Sequence, residues 1–312
     1  MKKATILEYI VDIILIITLS FIYYLNMVVH TNEVVYIPKG SINKIITHLQ
    51  AKKYDVGKLD SLLLRFIGNP QSGWIFIGTK ELRRGDFLYK LTHAKAPMVD
   101  ITLIPGETTY VFMQEVAKKL GLSHAKLMNY FYQEAPYKEG VLVPDTYKIP
   151  YGIQEKTLVL LLLKKSQKEM KDFSMKVFGV FDERKWRRFV TIASIIQKEA
   201  ANKEEMPIIA SVIYNRLRKK MKLQMDGSLN YGKYSHTKIT ASRLRHDSSR
   251  YNTYLYRGLP PYPVCNPGFD AIKAAIFPKR TDYLYFVKGK DNKHLFSSTF
   301  QKHKKNVTLS NK

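Results

Sequence analysis

Glu199 closes the segment FVTIASIIQKEA (residues 189–200), in which Ile192, Ile195 and Ile196 precede it by seven, four and three positions. On a helix, side chains at those spacings share one face, so the glutamate ends an aliphatic stripe while Gln197 and Lys198 point elsewhere. Two readings are open to such a group. Desolvated among aliphatic side chains, a carboxyl holds its proton to higher pH, which is what a general acid requires. At the end of the stripe it could equally sit on the surface and pair at i,i+4 with Lys203, an interaction worth roughly a few tenths of a kcal/mol. The single cysteine, Cys265, excludes an intramolecular disulfide and any zinc site built on a cysteine pair.

The elements that must position this acid belong to a chain of 312 residues, 45% hydrophobic and 12% aromatic, long enough for two folded domains. Its 51 Lys and Arg against 26 Asp and Glu give a net charge of +25, which predicts attraction to anionic lipid, an acidic wall polymer or nucleic acid. The basic residues are scattered in pairs and triplets, such as Lys52-Lys53, Arg83-Arg84 and Arg218-Lys219-Lys220. No nucleic-acid-binding motif accompanies them, so nucleic acid is not expected as a partner.

Residues 10–29 read IVDIILIITLSFIYYLNMVV, about twenty residues that as a helix rise roughly 30 Å, the thickness of a hydrocarbon core. Lys2 and Lys3 precede this run and His30, Thr31, Asn32 and Glu33 follow it. The positive-inside bias then predicts a single pass through the cytoplasmic (inner) membrane, with the N-terminus cytoplasmic and the bulk extracytoplasmic or periplasmic. Tyr23, Tyr24, Asn26 and Met27 stand where a signal peptide would carry a small-x-small cleavage site, so an uncleaved anchor is expected.

Beyond the anchor, Val34 to Ile37 reads as a strand, the residues from Pro38 as a turn, and Ser41 as the cap of a helix through Ile42, Ile45, Ile46 and Leu49. Asp100 to Ile104, Pro105-Gly106, and Thr108 or Thr109 before Val111, Phe112, Val116 and Leu120 repeat that order about sixty-seven residues later. Residues 73–78 read as a short strand, and residues 80–91 are expected to complete the sheet. The run KTLVLLLLKK (156–165) is too short to span a membrane and reads as a buried core helix. Pro150 and its neighbours break the chain before it, placing a domain boundary there. The Lys, Asn and Ser content after Val307 predicts a frayed tail.

The stripe itself resembles a known motif. Residues 193–200 (ASIIQKEA), 210–217 (ASVIYNRL), 221–226 (MKLQMD), Tyr231-Gly232, 251–254 (YNTY), 258–261 (GLPP), 266–268 (NPG) and 283–287 (YLYFV) follow one another as in the MltG/YceG family of endolytic peptidoglycan transglycosylases. Upstream, Ile104-Pro105-Gly106, Glu139-Gly140 and 144–147 (PDTY) are similar to further family motifs. Gln197 and Gly227 stand where the family often has Glu and Pro.

The resemblance implies an α+β fold: an N-terminal transmembrane helix (residues 1–30), a small LysM-like accessory α/β region (31–150), and a mixed α+β catalytic domain (151–312) with the catalytic Glu199 on a helix. It implies cleavage of the β-1,4 bond between N-acetylmuramic acid and N-acetylglucosamine within nascent glycan strands, leaving 1,6-anhydro ends and terminating elongation. One acid suffices, because the nucleophile belongs to the substrate; no metal or cofactor is implied. Gln197, Gln224, Asp226, Tyr231, Asn252, Thr253 and Tyr254 become expected cleft residues, although Asn252-Thr253 could equally cap a turn and Asp226-Gly227 form one. Expected partners are peptidoglycan strands, the membrane and peptidoglycan synthases of the penicillin-binding class. The competing reading is a non-catalytic, membrane-anchored wall-binding scaffold.

Overall fold

Without a Gly or Pro in its first twenty-six residues, the N-terminal run has nothing to break a helix, and α1 spans Lys2–Asn26. Its stretch Ile6–Asn26, of mean hydropathy 2.2 and with none of it buried, is long and apolar enough to cross a membrane. The helix stops short of the expected Val29. Met27 N–H turns back to the Tyr24 carbonyl, and the β-branched pair Val28-Val29 enters β1 (Val28–His30). Val29 is fully buried there, so the end of the apolar run packs against protein.

The computed structural model describes residues 2–291 and 293–311. Two compact units result, Met1–Val99 with Ile149–Gly152, and Asp100–Lys148 with Ile153–Lys312. Residues 100–148, grouped by sequence with the accessory region, therefore share a unit with the chain that carries Glu199.

In the first unit β2 (Val34–Ile37) leads to α2 (Ile42–Ala51), capped by the Ser41 hydroxyl, which accepts from the Lys44 N–H. After α3 (Lys58–Ile67) come β3 (Gly73–Phe76), β4 (Glu81–Arg83) and α4 (Arg84–His93). β1 pairs antiparallel with β4, Val29 opposite Leu82, and β2 with β3, Val35 opposite Ile75. The expected completion of the sheet by residues 80–91 lasts three residues. From Arg84 the chain is helical, because Phe87, Leu88 and Leu91 at helical spacing reach the core together and are fully buried.

Arg84 is the polar pin of this unit. Its guanidinium, 3% exposed, donates to Asp60 Oδ2 at 2.8 Å and to Asp55 Oδ2 at 2.7 Å, and the Asp60 side chain is fully buried. Asp60 Oδ2 also accepts from the Gly57 N–H at 2.7 Å, closing the N-terminus of α3.

β5 (Met98–Thr102) starts and ends two residues before its expected position and pairs with β6 (Thr146–Pro150). Leu103 N–H still donates to the Asp145 carbonyl, so pairing persists past the strand end. In the second unit α5 (Thr109–Leu120) is capped by the Thr108 hydroxyl, and α6 (His124–Glu134) follows. α7 (Glu155–Phe178) absorbs the run 156–165. It buries Leu158, Val159 and Leu162 while Leu160 and Leu161 are 42% and 36% exposed, so the run is one amphipathic face of a long helix and not a wholly buried one.

Next come α8 (Glu183–Glu199), α9 (Met206–Arg218), α10 (Ala241–His246) and α11 (Phe269–Ile276). The hairpin of β7 (Tyr285–Lys288) and β8 (His294–Ser297) precedes α12 (Phe300–Asn311). Residues 308–311 of the tail expected to fray continue α12, and Lys312 lies outside the described residues. Ile192, Ile195 and Ile196 of α8 are fully buried in one core with Ile209, Val212 and Ile213 of α9 and with Ala271 and Ala275 of α11. The alanines let α11 lie close against α8.

Replacing Arg84 by Met leaves Asp60 buried without its cation, and stability should fall by about 3–5 kcal/mol. Denaturant unfolding of the full chain followed by circular dichroism checks this; an unchanged midpoint would mean that the pair carries no stability.

Candidate functional site

Asp182 caps α8, its carboxylate accepting from the Lys185 N–H at 2.9 Å. Seventeen residues later the helix ends on Glu199, because Ala200 turns extended at φ −70°, ψ 132°. The glutamate is thus held at the tip of a helix whose preceding turn is locked in the core. Its Oε1 accepts the Gly227 N–H at 2.7 Å.

Gly227 begins the buried part of a 3-10 turn, Asp226–Leu229. A Cβ there would lie 2.5 Å from the Lys198 Cβ and 3.0 Å from Glu199 Oε1, so only glycine brings its N–H this close. The alternative partner is otherwise engaged, since Lys203 Nζ pairs with Asp270 at 2.6 Å. Burial pushes the Glu199 carboxyl up from 4.5 to about 7, and the charge of Asp226 adds to the rise; the Gly227 N–H and Arg216 oppose it.

Arg216, which the sequence reading left without a role, is 7% exposed. It donates to the carbonyls of Leu284 at 2.6 Å, Leu223 at 2.5 Å and Lys222 at 3.3 Å. Its guanidinium lies 5.3 Å from the centroid of the Tyr285 ring and pairs with no carboxylate among the described residues. Burial holds its pKa below the ordinary arginine value. Arg216 is thus a fixed positive charge near the acid, supported from behind by backbone. An arginine inside the apolar run of α9 was the signal for it.

The expected cleft residues fall into three groups. Asp226 and Tyr254 stand with Glu199: the Tyr254 hydroxyl donates to Asp226 Oδ1 at 2.5 Å, and burial, Asp226 and Glu199 all push the Tyr254 pKa up. Tyr231 stacks on Tyr251 with centroids 4.2 Å apart.

The remaining four make bonds within the fold. Asn252, fully buried, donates to the carbonyls of Leu244 and Asp247 and accepts from the Tyr254 N–H. Thr253, 1% exposed, accepts from the Met225 N–H at 3.0 Å. Gln197 Oε1 accepts from the Gly268 N–H at 3.1 Å, tying α8 to the start of α11. Gln224 is exposed at φ +50°, its N–H donating to the Thr253 carbonyl. Asn252 and Thr253 therefore shape the loop that presents Tyr254, and Gln197 fixes the helix that presents Glu199.

Two buried carboxylates, Glu107 and Glu139, serve the N-terminus of α5. Glu139 accepts from the Thr109 N–H and hydroxyl and from the Gly140 N–H, and burial pushes it up to about 7. Glu107 accepts from the Thr108 N–H at 2.6 Å, Ser235 Oγ at 2.8 Å and His236 Nε2 at 2.7 Å. Those donors outweigh burial and hold Glu107 below its ordinary value. Among the described residues no group of three or more His, Cys, Asp or Glu side chains could hold a metal ion.

The arrangement defines a mixed α+β protein with an apolar N-terminal helix and one half-buried glutamate at a helix end, backed by a fixed arginine and faced by an Asp–Tyr pair. A profile of the YceG-like family matches residues 35–309, and the chain belongs to that family. It is 33% identical over 170 residues to the endolytic murein transglycosylase of Bacillus subtilis strain 168, covering 54% of this chain and 46% of the relative. It is 32% identical over 175 residues to the protein of the same name from Streptococcus pneumoniae serotype 2, covering 54% of this chain and 31% of the relative. The match thus spans less than half of each relative's length. The crystal structure of a putative YceG-like protein from Listeria monocytogenes superposes with a TM-score of 0.59 at 27% identity, covering 88% of this chain and 99% of that one.

Because the folded pKa of Glu199 lies above its unfolded value, its contribution to stability is present below pH 4.5 and lost as pH rises through about 7. Glu199→Gln should flatten the stability–pH profile across that window by up to about 1.4 kcal/mol per pH unit. Unfolding free energies of the full chain at pH 5, 6 and 7 give the slope, with Glu139 still titrating in both proteins. Parallel profiles for wild type and variant would show that the Glu199 carboxyl is not desolvated.

Proposed function

We propose that this chain is an endolytic lytic transglycosylase, cutting the β-1,4 bond between N-acetylmuramic acid and N-acetylglucosamine inside nascent peptidoglycan strands and so terminating their elongation. The names of the bacterial relatives support that substrate and reaction. The observation that carries the reading is Glu199, a half-buried carboxyl at the end of α8 with one backbone donor, whose pKa opposed influences hold at about 7.

Such a group can give a proton and take one back. Glu199 protonates the glycosidic oxygen, the bond from the muramic acid C1 to that oxygen breaks, and the leaving N-acetylglucosamine departs with its hydroxyl. The muramic acid C6 hydroxyl then bonds to C1 while Glu199 accepts its proton, which closes the 1,6-anhydro ring and restores the acid. No water is consumed, and the attacking group is already tethered to the reacting centre. The Gly227 N–H and Arg216 favour the ionised glutamate midway through the cycle. Asp226, Tyr254 and Gln224 supply donors and acceptors to the sugars, and Tyr231 offers a ring face to the strand beside them. Gln197, Asn252 and Thr253 act on the substrate through the elements they hold. The balanced step needs no metal or cofactor.

In this reading α1 is a single-pass anchor with the N-terminus cytoplasmic, the LysM-like accessory region expected over 31–150 is confined to residues 31–99 in the first unit, the second unit carries the chemistry, and a peptidoglycan synthase supplies the strand. The net charge of +25 suits both an anionic wall polymer and an anionic membrane surface.

The test is mass spectrometry of glycan strands incubated with the full chain in detergent, since a truncation at residue 30 would remove β1. Strands ending in 1,6-anhydromuramic acid should accumulate, and Glu199→Gln should slow their formation by about 10²–10⁴-fold. The wild-type rate should fall as pH rises above about 7, where the acid loses its proton. Intact strands would point to the scaffold, and ordinary reducing ends to a hydrolase.

A further inference from the structure

A cavity of about 350 Å³ opens beside α5 and α6 in the second unit. Tyr132, Tyr231, Tyr234 and Tyr251 line it, together with Lys138 and Lys233. Both lysines are exposed, and neither pairs with a carboxylate among the described residues. Glu139 also lines the cavity, but it is buried, with its oxygens bonded to Thr109 and Gly140, so the groups open to a ligand at the rim are the two lysines. Tyr132 keeps 55% of its surface open to solvent, and the stacked pair Tyr231–Tyr251 offers a preformed wall.

One stretch of chain joins this cavity to the acid. Gly227, whose N–H holds Glu199, lies four residues before Tyr231, and the two 3-10 turns Asp226–Leu229 and Gly232–Tyr234 connect them. Thr108 Oγ1 donates to the Gly232 carbonyl at 2.9 Å, pinning the second turn to the N-terminus of α5. A ligand that fills the cavity therefore touches the segment that positions the acid.

Resting on the function proposed above, we propose that this cavity is a subsite for the acidic stem peptide of the glycan strand. Tyr132 and the open sides of the Tyr231–Tyr251 stack take the peptide's backbone and small apolar side chains, Tyr234 seats Lys233 against its ring, and the ammonium groups of Lys138 and Lys233 take the carboxylates. The volume is at the lower end of ligand pockets, roughly 300–1,000 Å³, and suits two or three peptide residues. Rings with a polar edge and unpaired cations are the groups that recognise such a ligand. A bare sugar chain leaves most of the carboxylates that would answer the lysines missing.

Binding of the full chain carrying Glu199→Gln, which does not consume the strand, separates the possibilities. Peptide-bearing strands should bind about tenfold more tightly than strands stripped of peptide by an amidase. Adding Lys138→Ala and Lys233→Ala should remove that preference and leave affinity for stripped strands unchanged. Lys52→Ala with Lys53→Ala, an exposed basic pair in the other unit, should preserve it. Equal binding of the two strands by the parent, or the same loss in the Lys52 and Lys53 variant, would overturn the subsite. The enzymatic reading fails separately, by the absence of anhydro ends from wild-type protein whose preference for peptide-bearing strands is intact.

Discussion

Everything at the candidate site depends on shielding one carboxyl from much of its water without letting it be neutralised by a salt bridge. The core of α8, α9 and α11 excludes solvent behind Glu199, the Gly227 N–H gives it a single backbone donor, and Arg216, whose charge acts on it, is engaged by carbonyls. Any one of these alone would fix the proton firmly on or off. Burial favours the neutral form and the donor and cation the ionised form, and a group caught between them can exchange a proton in both directions.

Holding that balance requires segments far apart in sequence to be fixed to within a few tenths of an ångström. The chain does this with buried side chains bonded to backbone. Asn266 reaches Glu107 and Thr109 with its amide nitrogen and the Leu142 N–H with its oxygen. Asn215 holds the carbonyls of Thr281 and Tyr283. Ser194, inside α8, receives the Val264 N–H. Each leaves a buried polar atom unpaired if lost, so these residues are demanding even where they touch no substrate.

Local signals in the sequence were readable wherever a few neighbouring residues decided the outcome. Ser41 and Thr108 cap their helices as their types suggest, and the isoleucine spacing before Glu199 places the carboxylate at the end of the buried stripe. What could not be read was decided by distant partners. Val28 and Val29 look like more of the membrane run until β4 pairs with them. Residues 84–91 fall in the run expected to complete the sheet although Phe87, Leu88 and Leu91 stand at helical spacing; which partners Arg84 meets, Asp55 and Asp60, only the folded chain shows. Gln197, Asn252 and Thr253 carry polar groups in a recognisable motif, but only the folded chain shows those groups bonded to Gly268, Met225, Leu244 and Asp247. Arg216 and Glu139 lay within quoted motifs, yet their surroundings come from loops dozens of residues away.

The join between α1 and β1 has a mechanical meaning. A single residue, Met27, separates the helix from the strand, the Arg84 guanidinium lies 4.5 Å from the centroid of the Tyr24 ring, and Gly85 packs against Leu25. With the helix seated in a bilayer as proposed, the first unit has no leash: it stands on the membrane like a post on its footing. Its distance from the lipid surface is then set by rigid protein and not by the swing of a linker.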